Sequence, residues 1–281
     1  MTTNIEQPEE QGKTQKKNGL LWVALGALGI VLLTWLLLTP PGLLGKVDAV
    51  GYAVCHRIPV RSFSINGRPM PLCARCTGTF VGALIGLFGP AILGRRRTVT
   101  FPAIPVLAVL MLFSMAWAFD GVNSYLLLVL GRPFLYETQN WMRLTTGMFH
   151  GITLGSVILP IFNGAVWANP DQRRTIGGLR DLAVMVLAGG ILVALTLTEQ
   201  PIFLYPLALL SSVGVVAALT AINATMVAFV IQRDNTARTL LEALPVIVLG
   251  VVIAVIEVGA IDAVRYAAFG TWEGFTFPVR G

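Results

Sequence analysis

What most constrains this chain is a succession of seven long apolar runs, at about residues 20–38, 73–93, 101–119, 144–167, 182–197, 202–231 and 240–263. Each approaches the roughly 20 residues that carry a helix across the hydrocarbon core of a bilayer. In lipid every backbone polar group must be satisfied within the protein, which helices achieve one segment at a time. The chain is 55% hydrophobic and only 12% charged, where a soluble domain carries about a quarter, so water alone is a poor solvent for it. The expected fold is all-α, a polytopic transmembrane bundle of about seven spans.

The first run is longer than a signal-peptide core and is followed by Pro40, Pro41 and Gly42 with no small-x-small cleavage site, so it reads as an uncleaved first span. Residues 1–18 are polar and rich in Gln, Glu and Lys, too poor in apolar side chains to bury a core, and read as a disordered tail. The chain then divides into a membrane core, residues 19–167, with the first four spans and a Cys/His motif, and three additional spans over residues 168–281.

The net charge of +6 does not point to nucleic acid, because the basic residues are scattered between apolar runs instead of clustering with aromatics. Their use is topological. With an odd number of spans, Lys13, Lys16, Lys17, Arg95, Arg96, Arg97, Arg173, Arg174, Arg180, Arg233 and Arg238 fall on one side, which the positive-inside rule makes cytoplasmic. A cell-membrane protein with a cytoplasmic N-terminus and an outer C-terminus follows. Arg57, Arg61, Arg68, Arg75, Arg132 and Arg143 fall on the other side and call for an explanation of their own.

Two outer connections are long, residues 39–72 and 120–143. In the first, Leu43, Val47, Val50 and Val54 recur at helical spacing, which predicts a short interfacial helix ending at Cys55 and His56. Asn66-Gly67 is the dipeptide that best tolerates a tight hairpin turn, and such a turn folds Cys73 back toward Cys55. A weak repeat joins the second and fourth spans: Thr77-Gly78-Thr79-Phe80-Val81-Gly82 with Gly86, and Thr146-Gly147-Met148-Phe149-His150-Gly151 with Gly155. Asp48 and Tyr52 precede one copy, and Asp120 and Tyr125 the other, at nearly the same offset. Glycines four apart make stripes along which helix backbones approach closely, placing these two spans at the centre of the bundle.

All three cysteines and one of the two histidines lie in the first outer segment and the turn after it. Cys73 and Cys76 open a span, about 60° apart on one face and away from the glycine stripe, with Cys55 and His56 in the preceding loop. Thiolates and imidazole are what zinc prefers, so Cys55, His56, Cys73 and Cys76 are candidate metal ligands. His150 on the fourth span is a candidate further ligand or proton-transfer residue, and Asp120 a candidate missing ligand. A c-type haem is disfavoured because Thr77, not His, follows Cys76. Two other readings use the same thiols. A helix N-terminus and Arg75 stabilise thiolate, which suits disulfide exchange with electrons passed to a quinone, and free cysteines also serve simply as small buried side chains.

Arg57, Arg61, Arg75 and Arg143, with Asp120 and Asn140, would line the outer mouth as a pocket for an anionic lipid or small anionic ligand. The plainer account pairs these cations with lipid head groups or with Asp48, Asp120 and Glu137. Deeper in the spans, Glu257 and Asp262 read as partners of Arg265, and Asn223 as an interhelical hydrogen-bonding residue.

The segments Cys55-His56-x-x-Pro59-x-Arg61-Ser62-Phe63 and Pro71-x-Cys73-Ala74-Arg75-Cys76-Thr77-Gly78 resemble those of a family of bacterial and archaeal membrane proteins classed as a domain of unknown function. Asp120-Gly121 and Asn140-x-x-Arg143-x-x-Thr146-Gly147 are similar to that family's later motifs, so the resemblance covers about residues 51–155. It implies membrane location and a shared site, and brings no activity with it. Two functions are left open: a metal-dependent enzyme acting on an anionic lipid-like substrate, and a non-catalytic membrane component stapled by its metal.

Overall fold

The computed structural model describes residues 7–132 and 134–275. Its helices are α1 (Gln7–Leu38), α2 (Leu43–Val54), α3 (Ala74–Ile92), α4 (Ile104–Leu130), α5 (Asn140–Val166), α6 (Leu179–Leu197), α7 (Pro201–Val230) and α8 (Leu240–Phe269). All but α2 are long and apolar enough to cross a membrane, Gly19–Leu38 being the span within α1. The seven apolar runs thus become seven spans of a helical bundle. Large apolar side chains such as Ile104, Met111, Leu187 and Val264 stand exposed on the outer helix faces, where hydrocarbon would cover them.

Helices α3 and α5 form the centre. A methyl group placed on Gly78, Gly82 or Gly86 would come within 2.2, 2.1 or 2.5 Å of the carbonyl oxygens of Leu144, Met148 and Ile152. Placed on Gly147, Gly151 or Gly155, it would come within 2.3, 2.0 or 2.3 Å of those of Arg75, Thr79 and Ala83. The two stripes therefore face each other reciprocally, each copy of the repeat meeting the same positions of the other. Around this pair, α4 and α6 flank α5, α7 packs on α3 and α5, α8 on α7, and α1 lies outermost against α8.

At the cysteine end, α2 leads through a 3-10 turn (Pro59–Arg61) to the hairpin of β1 (Ser64–Ile65) and β2 (Arg68–Pro69), in register Ser64 with Pro69 and Ile65 with Arg68. Asn66 and Gly67 both have positive φ, 51° and 82°, as a two-residue hairpin turn of this hand requires. At the opposite end β3 (Thr98–Thr100) pairs in parallel with β4 (Asp171–Arg174), and the Arg97 guanidinium donates to the Arg238 carbonyl at 3.0 Å. The basic loops assigned to one side from the sequence are thus gathered at one end.

Three expectations need correction or refinement. The connection over residues 120–143 is mostly helix: α4 runs eleven residues past Phe119 to Leu130, because Asp120, Asn123 and Ser124 turn inward and are buried with partners. Of the tail over residues 1–18, residues 1–6 lie outside the described residues and the remainder continues α1, in keeping with Gln, Glu and Lys being good helix formers. The short helix α2 does more than skim an interface: Val47, Asp48, Val50 and Tyr52 are buried in it, packed toward α7 and α8.

Candidate metal and anion site

Cys55 caps the C-terminus of α2, Cys73 the N-terminus of α3, and Cys76 lies in the first turn of α3. A close backbone approach joins the two helix ends. A methyl group on Gly51 would sit 2.0 Å from the Pro71 carbonyl oxygen, so only glycine lets the end of α2 lie against the chain entering α3. The three sulfurs then fall within 4.8 Å of one another, with Cys55 and Cys73 buried and Cys76 half-buried. Val50, Leu72 and Val215 pack around them.

The Cys55 sulfur accepts from the backbone N–H of Cys73 at 3.3 Å and of Arg57 at 3.4 Å. The second bond depends on Arg57 adopting φ of 52°, a left-handed conformation uncommon outside glycine and costly enough to need support from its surroundings. Hydrogen bonding from the Cys73 and Cys76 thiols holds the Cys55 thiol well below the ordinary range, against the opposing effect of burial. The same interaction with Cys55 pushes the Cys73 thiol up.

His56 is not one of the close group. Its Nδ1 accepts the Ile58 N–H at 2.9 Å, which in a neutral ring leaves the proton on Nε2 as a donor. Burial, and then the charges of Arg61, Arg75 and Arg143, lower its pKa, although Cys55 opposes them. His150 is further removed. It lies between α4 and α5, with Nδ1 3.1 Å from the Ser114 hydroxyl and its ring stacked on Trp117 at 4.1 Å. The sequence placed both histidines with the thiols; the packing of α4 on α5 takes one of them elsewhere.

The six polar residues expected to line a pocket separate into two sets. Arg57 forms an ion pair with Asp48 at 2.8 Å and donates to the Trp272 carbonyl at 2.8 Å, while Arg68 closes on the other oxygen of Asp48. Arg61, Arg75, Asp120, Asn140 and Arg143 form the second set. Arg75 forms an ion pair with Asp120, whose other oxygen takes the Tyr136 hydroxyl at 3.0 Å, and Gly121 leaves room for the guanidinium alongside.

Arg61 donates to the Ser124 carbonyl at 3.0 Å. Arg143, 6% exposed, donates to the Asn140 side-chain oxygen at 2.8 Å and the Ser124 hydroxyl at 3.4 Å. Among the described residues neither has a carboxylate partner. The plainer account, pairing with nearby acids, holds for Arg57, Arg68 and Arg75 and leaves Arg61 and Arg143, among the described residues, without a carboxylate in ion-pair contact. Both lie within electrostatic reach of Cys73.

Residues from the end of the chain complete the site. Arg265 of α8 donates to the backbone carbonyls of Tyr52 and, at 2.7 Å, Cys55, and its guanidinium lies 4.0 Å from the Tyr52 ring centre. It does not pair with Asp262 or Glu257, as its spacing suggests; Glu257 takes the Asn223 side chain across to α7 at 2.8 Å instead. Residues 271–275 strap the cysteine turn: the Phe275 N–H donates to the His56 carbonyl at 2.9 Å, and the Tyr52 hydroxyl to the Thr271 carbonyl at 2.8 Å. In the sequence Arg265 reads only as the partner of Glu257 and Asp262, and nothing there points to the end of α2.

Comparison with known proteins places this site within a shared unit. The family model described as "Predicted membrane protein (DUF2085)" matches residues 55–157, from the first cysteine to the inner half of α5. An uncharacterised protein of Methanocaldococcus jannaschii is 35% identical over 114 residues, covering 41% of this chain and 67% of its own. A second, from Methanothermobacter thermautotrophicus, is 31% identical over 101 residues, 36% of this chain and 80% of its own. No solved structure matches. With both archaeal relatives matched over two thirds or more of their length, the chain belongs to the DUF2085 family of membrane proteins.

Proposed function

We propose that Cys55, Cys73 and Cys76 hold one metal ion, zinc, and that Arg61 and Arg143 present an anionic lipid-like ligand to it. The observation that carries this reading is three sulfurs within 4.8 Å beside two buried or half-buried guanidiniums with no carboxylate in ion-pair contact among the described residues. The donor set fits the ion. Thiolate is the soft ligand zinc favours, and the amides donating to the Cys55 sulfur are the outer-shell support such ligands commonly have. Three protein ligands leave a fourth position free, the arrangement of catalytic and not of structural zinc.

Zinc bound there would supply Lewis-acid polarisation of a ligand oxygen or of water. The protein's own residues do the rest. Arg61 and Arg143 bind the anionic group, in the planar paired manner that suits phosphate or carboxylate. Asn140 and Ser124 hold those guanidiniums in place. His56, with its proton on Nε2, stands ready as a donor, and Asp120 anchors Arg75.

A second reading rests on the apolar packing of Val50, Leu72 and Val215 about the sulfurs: a metal that only staples α2 to α3. Metal content of protein purified under reducing, chelator-free conditions tests the first half of the proposal. We expect about one zinc per chain, lost in Cys73→Ser and Cys76→Ser, and absence of metal from the wild type would refute it. Calorimetry with dodecyl phosphate tests the second half. Binding weakened about tenfold or more in Arg61→Gln and Arg143→Gln supports the pocket, whereas metal bound with no response to the phosphate supports the staple.

A further inference from the structure

Between α1 and α8, away from the face that carries the paired arginines, runs a groove of about 740 Å³. Its walls are apolar for most of its length, with Ile30 and Val31 from α1 and Val255 and Ile256 from α8, and Ile30 and Ile256 stand exposed at its rim. At the end nearer the cysteines the lining changes. Asp262 is only 3% exposed, and neither of its carboxyl oxygens has a hydrogen-bond partner. The Trp35 indole N–H, which also lines the groove, is buried and equally without a partner. It lies close enough to Asp262 to act on its carboxyl, short of a well-formed hydrogen bond.

An unmet carboxyl group and an unmet N–H in the same apolar slot are unfavourable wherever water does not enter. One small group satisfies both: a hydroxyl donates to Asp262 and accepts from Trp35. A cationic head group fits less well, because the charged neighbours of Asp262 are Arg57 and Arg265, which already supply positive field. An anionic head would meet the carboxyl directly. From these atoms we infer that the groove binds a neutral, hydroxyl-headed amphiphile, its chain lying along α1 and α8 and entering sideways from the bilayer. Gly259 forms the floor. A methyl group there would reach Trp35 at 3.8 Å, ordinary contact, while a larger side chain would fill the slot.

The test is photolabelling of the full-length protein in detergent with a hexadecanol that carries a diazirine near its hydroxyl. Label is expected on the peptides containing Trp35 and Asp262, with unlabelled hexadecanol competing and palmitate not. Asp262→Leu should weaken competition about tenfold, the worth of one buried hydrogen bond. Asp262→Asn, which keeps an acceptor and the side-chain shape, should retain it. Should Asp262→Leu fail to fold, Gly259→Leu makes the same prediction by blocking the slot while leaving the carboxyl in place. Label spread evenly over the lipid-facing helices, or competition by hexadecylamine in preference to hexadecanol, overturns the inference. None of these outcomes depends on metal at the cysteines.

Discussion

Single residues decide this protein's chemistry through the partners they lack or share. Arg265 is the clearest case, since its guanidinium holds the carbonyls of Tyr52 and Cys55 and so fixes the end of α2 from the last span. Arg265→Ala should destabilise the solubilised protein by about 2 kcal/mol, as loss of charged hydrogen bonds to buried carbonyls does. It should also speed zinc exchange, read by a chromogenic chelator. Arg265→Lys, which keeps charge and a donor, should restore part of both. Unchanged melting and exchange in Arg265→Ala would show that the clamp is idle. The motif residues Cys55, Cys73 and Cys76 were legible in the sequence as a group because thiols are scarce and these are close along the chain. Arg265 was not, because its partners are backbone carbonyls more than 200 positions away.

Among the elements, the α3–α5 pair shows how a pattern in sequence becomes a contact. Glycines at every fourth position mark a helix face that can meet another backbone, and the two stripes meet each other. Gly151→Ala puts a methyl group 2.0 Å from the Thr79 carbonyl oxygen, so thermal unfolding in detergent should reveal a loss of about 1–3 kcal/mol. Gly190→Ala in α6, where nothing lies within 4 Å, should be neutral or gain up to about 1 kcal/mol from helix propensity. Equal effects at the two positions would mean that the stripes do not set the packing. The hairpin of β1 and β2 was equally legible, since Asn66-Gly67 is a local turn signal. The extent of α4 was not: Asp120 reads as the end of an apolar run, and only burial against Arg75 and Tyr136 makes it helix interior.

For the whole molecule, seven spans put the cysteine site and the basic loops at opposite ends of the bundle. The positive-inside rule then places the cysteines outside, an orientation to be tested directly. Ser64→Cys on the exposed hairpin should react with a membrane-impermeant maleimide on intact cells. Gln172→Cys, exposed on β4 at the other end, should react only after permeabilisation. The reverse pattern would turn the protein over in the membrane and put the cysteine site in the cytoplasm.

The sequence by itself determined the class of fold, because in hydrocarbon a chain must bury its own backbone polarity and long apolar helices are how it does so. It also determined the central helix pair and the grouping of the thiols, since both follow from spacing within one or two elements. Only the tertiary structure decided which cations are neutralised, which histidine stays near the sulfurs, and that α8 with residues 271–275 closes the site. Those outcomes depend on how each helix is rotated about its axis. Rotation is set by packing against residues distant in the chain, which periodicity alone does not name.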